Sequence, residues 1–134
     1  MSVGTAIKNR WESAGMASRV PGGLWQEKAP TGVIWPYQTF LIISQSFQGR
    51  TSTSIQHQAS FEIHTFYKPI EGEDPQESVN TLLDLIETAF DDQILTVEGF
   101  ESMIVTQNDR RTFEEDFQVY RGLNEFNFKL QKSR

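Results

Sequence analysis

The chain contains no cysteine, which removes disulfide frameworks and thiolate metal sites from consideration. Histidine is nearly absent too: His57 and His64 are the whole imidazole supply. They stand seven apart on one expected strand and so point to opposite faces, and one chain cannot chelate a metal with both. Positive charge is scarce, with 12 Lys and Arg against 18 Asp and Glu and a net charge of −6. Nucleic-acid binders need clustered cations to neutralise phosphate. An acidic balance suits a surface past which DNA slides without sticking, and it equally serves plain solubility. No apolar run approaches the roughly 20 residues that cross a bilayer. The longest, Phe40 to Ile43, reads as a strand core, and the N-terminal region shows no signal-peptide core. These absences lead us to expect a soluble, non-secreted chain without cofactor or membrane partner.

What is present fits one domain, residues 1–134, with a modest core and much wet surface. Apolar residues make up 37% and charged residues 22%, too ordinary a balance for wholesale disorder. Ten Phe among 12% aromatics suit a β-rich core or a buried interface.

Residues 5 to 17 read as a short helix with Ile7, Trp11 and Ala14 on one side and Gly15 at its end. Val20 to Gly32 is a loop rich in Pro and Gly, with a brief strand at Leu24-Trp25-Gln26. Pro36 holds Trp35 extended and launches a strand from Tyr37 to Phe47. One parity of that strand carries Tyr37, Thr39, Leu41, Ile43 and Phe47, and the other carries Phe40 and Ile42. Apolar residues on both faces point to a central strand whose second face something else covers.

Ile55 to Tyr67 alternates as a half-buried strand does, and the polar link Gln48 to Ser54 projects as a long hairpin arm. After an acidic loop, Asp74 caps a helix with Pro75 at its first position and Glu77 in a capping-box place. Val79, Leu82, Leu83, Ile86 and Phe90 form its apolar stripe. Two further strands are expected, Ile94 to Thr106 and Phe117 to Leu130, separated by a charged tip from Asn108 to Asp116. The apolar parity of the last strand changes near Gly122, which suggests a β-bulge at Gly122-Leu123. The fold class is α+β: an antiparallel sheet of about four to five strands with a long hairpin arm, packed against two helices.

Chemistry has little to stand on. Glu62 and His64 share a strand face as a conceivable acid–base pair, without supporting groups. Glu71, Glu73, Asp74 and Glu77 lack the spacing and central glycine of a calcium loop and read as a solvated helix N-terminus. No phosphate loop, nucleophile elbow or zinc-protease helix occurs. We therefore expect no enzyme and no catalytic, cofactor or metal residues. Interface candidates are better founded: Trp25, Trp35 and Tyr37 flank loops, where aromatics anchor protein contacts or simply close a core edge. Phe40 and Ile42 would lie on the covered face of their strand. Arg50 on the arm and Arg110 with Arg111 at the opposite tip are positive spots on an acidic protein.

Several features taken in order resemble the tail-terminator, or tail-completion, proteins of long-tailed bacteriophages. They are the helix with Trp11, the loop Gly22-Gly23-Leu24-Trp25, the entry from Ala29-Pro30 to Pro36-Tyr37, and the polar arm Gly49 to Ser54. The strand Phe61 to Phe66, the helix Pro75 to Phe90 and the closing strands extend the likeness over nearly the whole chain. The resemblance implies a hexameric ring in the virion, assembled in the host cytoplasm, that caps the tail tube, ends its polymerisation and joins it to the head and neck. Its partners would be further copies, the tube protein and a neck protein, with DNA passing through the lumen unbound. A head-completion or neck adaptor is the alternative within the same class. A small-ligand-binding or enzymatic α+β domain is the alternative outside it, and it would need a deep pocket with convergent polar groups.

Overall fold

A computed structural model describes residues 3–50, 54–69, 72–95, 97, 101–102, 104–115 and 119–133, with backbone alone at 44–50, 54–57, 101–102, 113–115 and 130–133. Helix α1 (Val3–Ser13) and a 3-10 turn (Met16–Ser18) precede strands β1 (Leu24–Gln26), β2 (Tyr37–Arg50) and β3 (Ser54–Tyr67). Helix α2 (Pro75–Phe90) follows, then β4 (Glu101–Ser102), β5 (Thr106–Glu115) and β6 (Val119–Ser133). The sheet order is β1-β2-β3-β6-β4, and β5 also pairs with β6. All these pairings are antiparallel except β1 with β2, where Leu24 to Gln26 run parallel to Gln38 to Phe40. This is the α+β fold expected, with a mixed sheet and both helices contributing to one core.

The helix signals act as the sequence implies. Asp74 accepts hydrogen bonds from the backbone of Gln76 and Glu77, satisfying donors that a helix start leaves open. Val79, Leu83, Ile86 and Phe90 are all fully buried. They meet the core parity of β3 (Ala59, Phe61, Ile63, Thr65, Tyr67) and of β6 (Phe126, Phe128). Phe61, Phe90 and Phe126 form a triangle of rings with centroids 5.3 to 5.6 Å apart. α1 adds Val3, Ala6, Ile7 and Trp11 to the same core.

Gln38 sits in that core, fully buried, and decides which side of β2 faces inward. It accepts from Trp11 Nε1 at 2.6 Å and donates to Thr65 Oγ1 at 2.9 Å, so its amide is paired on both sides. Gln38, Phe40 and Ile42 therefore face the helices, and Tyr37, Thr39, Leu41 and Ile43 face the other way.

Three expectations about the second half are corrected. Among the described residues, the strand expected over Ile94 to Thr106 is one isolated bridge, Ile94 with Ile104, and the short β4. Its apolar pattern arises because Leu95, Val97 and Val105 drop into the core from largely irregular backbone. The charged tip expected over Asn108 to Asp116 is instead mostly strand β5, ending at Glu115, laid against Val119 to Asn127 of β6. Charged side chains suit it because an edge strand needs an apolar lining on neither border.

No bulge occurs at Gly122-Leu123: β6 pairs β3 in continuous register from Tyr120 to Ser133. The register shift lies across the ladder, between Gln107 and Asp109. The core parity of β6 is even throughout, through Tyr120, Gly122, Asn124, Phe126 and Phe128. Gly122 interrupts the apolar pattern because α2 lies directly on it; a Cβ there would stand 2.5 Å from Leu83 Cδ2. Asn124 interrupts it by donating to Gln107 Oε1 at 2.7 Å, in contact with the α2 backbone.

Candidate assembly surface

Both helices pack on one side of the sheet, which leaves its opposite face without a helix among the described residues, although Thr39 and Leu123 on that face are buried. The pleat sends Tyr37, Thr39, Leu41 and Ile43 of β2, Glu62, His64 and Phe66 of β3, and Arg121, Leu123 and Glu125 of β6 to that face. Leu41 is 36% exposed and Ile43 48%, so apolar surface lies open beside polar groups. The aromatic rings form a file across it. Trp35 meets Tyr37 edge-on at 4.9 Å, Tyr37 stacks on Phe66 at 4.8 Å, and His64 lies parallel to Phe66 at 6.4 Å. Lys68 Nζ covers the outer end of the file, 4.6 Å from the Trp35 ring centre. The Trp35-Pro36 peptide bond at its head is cis.

Glu62 and His64 share the face as the alternation requires, with Oε1 and Nε2 3.3 Å apart. His64 helps line an open depression with Glu27, Thr39, Leu41, Phe66 and Arg121. Among the described residues the pair has only that open depression beside it, and they contain no group of three metal-ligating side chains. His57 lies on β3, but its side chain is outside the described residues.

The eight candidates separate. Trp35 and Tyr37 come together in the aromatic file. Trp25 is elsewhere, 37% exposed, donating its indole N–H to Gly22 O at 2.7 Å above a groove lined by Pro21, Pro30 and Ile34. Phe40 is 2% exposed and Ile42 packs on the same core, so the protein's own helices cover the face to which both belong. Phe40 and Ile42 were expected on a face that something else covers, and the covering is the protein's own core, because Gln38, the polar residue of that parity, is a buried partner of Trp11. The free apolar residues are Leu41 and Ile43, visible in the same alternation.

Arg110 is not at a tip. It sits within β5 and reaches back to α2, with Nη1 2.6 Å from Asp84 and 3.7 Å from Glu87. Arg111 is exposed and pairs with Asp109 of its own strand at 2.9 Å. Arg50 ends β2 opposite Ile55, and its side chain is outside the described residues.

Neither a family model nor a curated protein matches the sequence. Solved structures do. One match is a chain of the virion of a native gene transfer agent particle, with a TM-score of 0.74 at 10% identity, covering 97% of this chain and 95% of that one. The fold is shared with a virion component. A second solved structure aligns with a TM-score of 0.57 at 14% identity over 97% of this chain and 96% of its own. At such identities the likeness is one of fold, and it extends over nearly the full length of each partner.

Proposed function

We propose that this protein is a structural component of a phage-type virion, a single domain that assembles as a ring at the end of the tail tube. The observation that carries the reading is the end-to-end match to a chain of a gene transfer agent virion. The molecule's surfaces agree with an assembly role: a helix-free sheet face with exposed Leu41 and Ile43, and a sheet extended well beyond the core. In this reading one ring face copies the tube subunit's contact surface and the other offers no template for growth, so polymerisation stops. The opposite face meets the neck, and DNA passes an acidic lumen without being held. The work is done by binding geometry, with no catalysis.

The test is tube assembly in the presence of the protein. Tube protein of the same particle, polymerised with and without it, is measured by negative-stain microscopy. Short tubes of uniform length with a ring at one end are expected. Unrestrained elongation, with the protein bound instead to portal or neck components, would replace this reading with that of a neck adaptor.

A further inference from the structure

Charge is divided along the sheet. Residues 44–60 and 126–134 hold Arg50, Lys129, Lys132 and Arg134, four of the twelve basic residues, and none of the eighteen acidic ones. The topology gathers the described parts of these segments, 44–50, 54–60 and 126–133, into one place. β2, β3 and β6 continue side by side beyond the helices, with Arg50 opposite Ile55 and Ile55 opposite Lys132 in one cross-strand row. Lys129 lies three residues nearer the body, opposite Gln58 and at a position of the other face of β6, and is exposed. Glu101 of β4, opposite Gln131, is the acidic residue that the ladder brings beside them among the described residues. The end of the sheet is therefore a basic projection from an acidic molecule.

The complementary surface is α2 with its flanks. From Glu73 to Asp92 the chain carries Glu73, Asp74, Glu77, Asp84, Glu87, Asp91 and Asp92, and no Lys or Arg. Acidic groups at a helix start are favourable, but Glu87, Asp91 and Asp92 crowd the C-terminal end, where the helix dipole is already negative. Arg10, bound to Ala89 O at 2.6 Å, and Arg110 on Asp84 are the basic side chains shown reaching this helix. Its own projection cannot supply more. Lys132 is six residues along β6 from Phe126, on which Phe90 packs, a distance of about 20 Å.

We infer that the basic end of the sheet docks on the acidic C-terminal half of α2 in a second copy of the chain. The two surfaces are different parts of the molecule, so the contact is head-to-tail and propagates from copy to copy until a ring closes. This rests on the ring reading above and names the contact that would build it.

Two charge reversals test it. One variant carries R50E and K132E; the other carries E87K and D92K, which leave Asp84 to hold Arg110. Light scattering at several concentrations is expected to show the unaltered chain as an oligomer that dissociates as ionic strength rises from about 0.05 to about 0.5 M, where screening shortens to a few ångströms. Each variant alone is expected to remain a protomer, with circular dichroism melts confirming that it folds. Mixed one to one, they are expected to regain the oligomer, because each reversed surface then meets its opposite.

Variants that oligomerise alone as the unaltered chain does would overturn this contact and leave the ring reading standing. An unaltered chain that stays a protomer at every concentration, also when mixed with tube protein, would remove both. Loss of duplex-DNA binding in R50E/K132E, with self-association intact, would reassign the projection to nucleic acid.

Discussion

A few positions show how closely this chain is fitted. Gly22 hydrogen-bonds Pro36 O at 3.0 Å, and a Cβ on it would lie 1.9 Å from Ile34 O, so backbone occupies the space of a side chain. At Gly122 the obstruction is Leu83, itself fully buried. Gly122→Ala is expected to cost about 1–3 kcal/mol through overpacking. Combined with Leu83→Ala it should cost less than the two changes summed, as read from denaturant melts of the double-mutant cycle. Tyr67 is 6% exposed, and its hydroxyl donates to Glu73. Burial first, and then that hydrogen bond and the carboxylate's charge, raise the phenol above its ordinary 10.0. The stabilisation it gives is complete below pH 10 and lost as pH rises through the folded value. Melting temperature between pH 9 and pH 11 should therefore fall more steeply for the unaltered protein than for Tyr67→Phe.

Among the elements, α2 is the most self-contained. Asp74→Ala removes the acceptor for two backbone donors and should lower stability by about 1 kcal/mol, readable as a lower midpoint with an unchanged denaturant slope. Arg110→Ala is expected to cost under about 1 kcal/mol and to lose even that in high salt, since Asp84 is 67% exposed. The helix was legible in the sequence because cap, proline and apolar stripe are local signals that agree. β2 and β3 were legible for the same reason, their alternation being intact over most of each strand. β5 was not, because an edge strand pairs through its backbone and has no need of apolar side chains. The false strand over Ile94 to Thr106 has the converse origin: Leu95, Val97 and Val105 are buried from irregular chain. The candidate surface was half legible. Trp35 and Tyr37 stand where a half-buried file of rings runs, whereas the place of Phe40 and Ile42 in the core depends on the bond of Gln38 to Trp11, which no local pattern shows.

For the molecule as a whole, one face of the sheet makes the core and the other, among the described residues, carries no helix and is open at Leu41 and Ile43. Leu41→Ser with Ile43→Ser should leave the melting temperature of the isolated chain within about 2 °C, since neither side chain is deeply buried. Light scattering and tube-capping assays on the same variant report whether that face serves assembly. Unchanged behaviour in both would confine assembly to the sheet's end and edges.

β6 also governs when the protein becomes a protein. It pairs with β3 along one border and with β4 and β5 along the other, and α2 rests on it at Gly122. Every one of those partners is synthesised before it. A nascent chain on the ribosome thus holds two halves of a sheet with no strand between them, and the hydrophobic side of α2 has only its contact with β3, Phe90 against Phe61, on which to settle. Folding waits for the core residues of β6, through Phe128, to emerge, so a translation product interrupted before them would be left to proteolysis and never reach a growing assembly as a defective subunit.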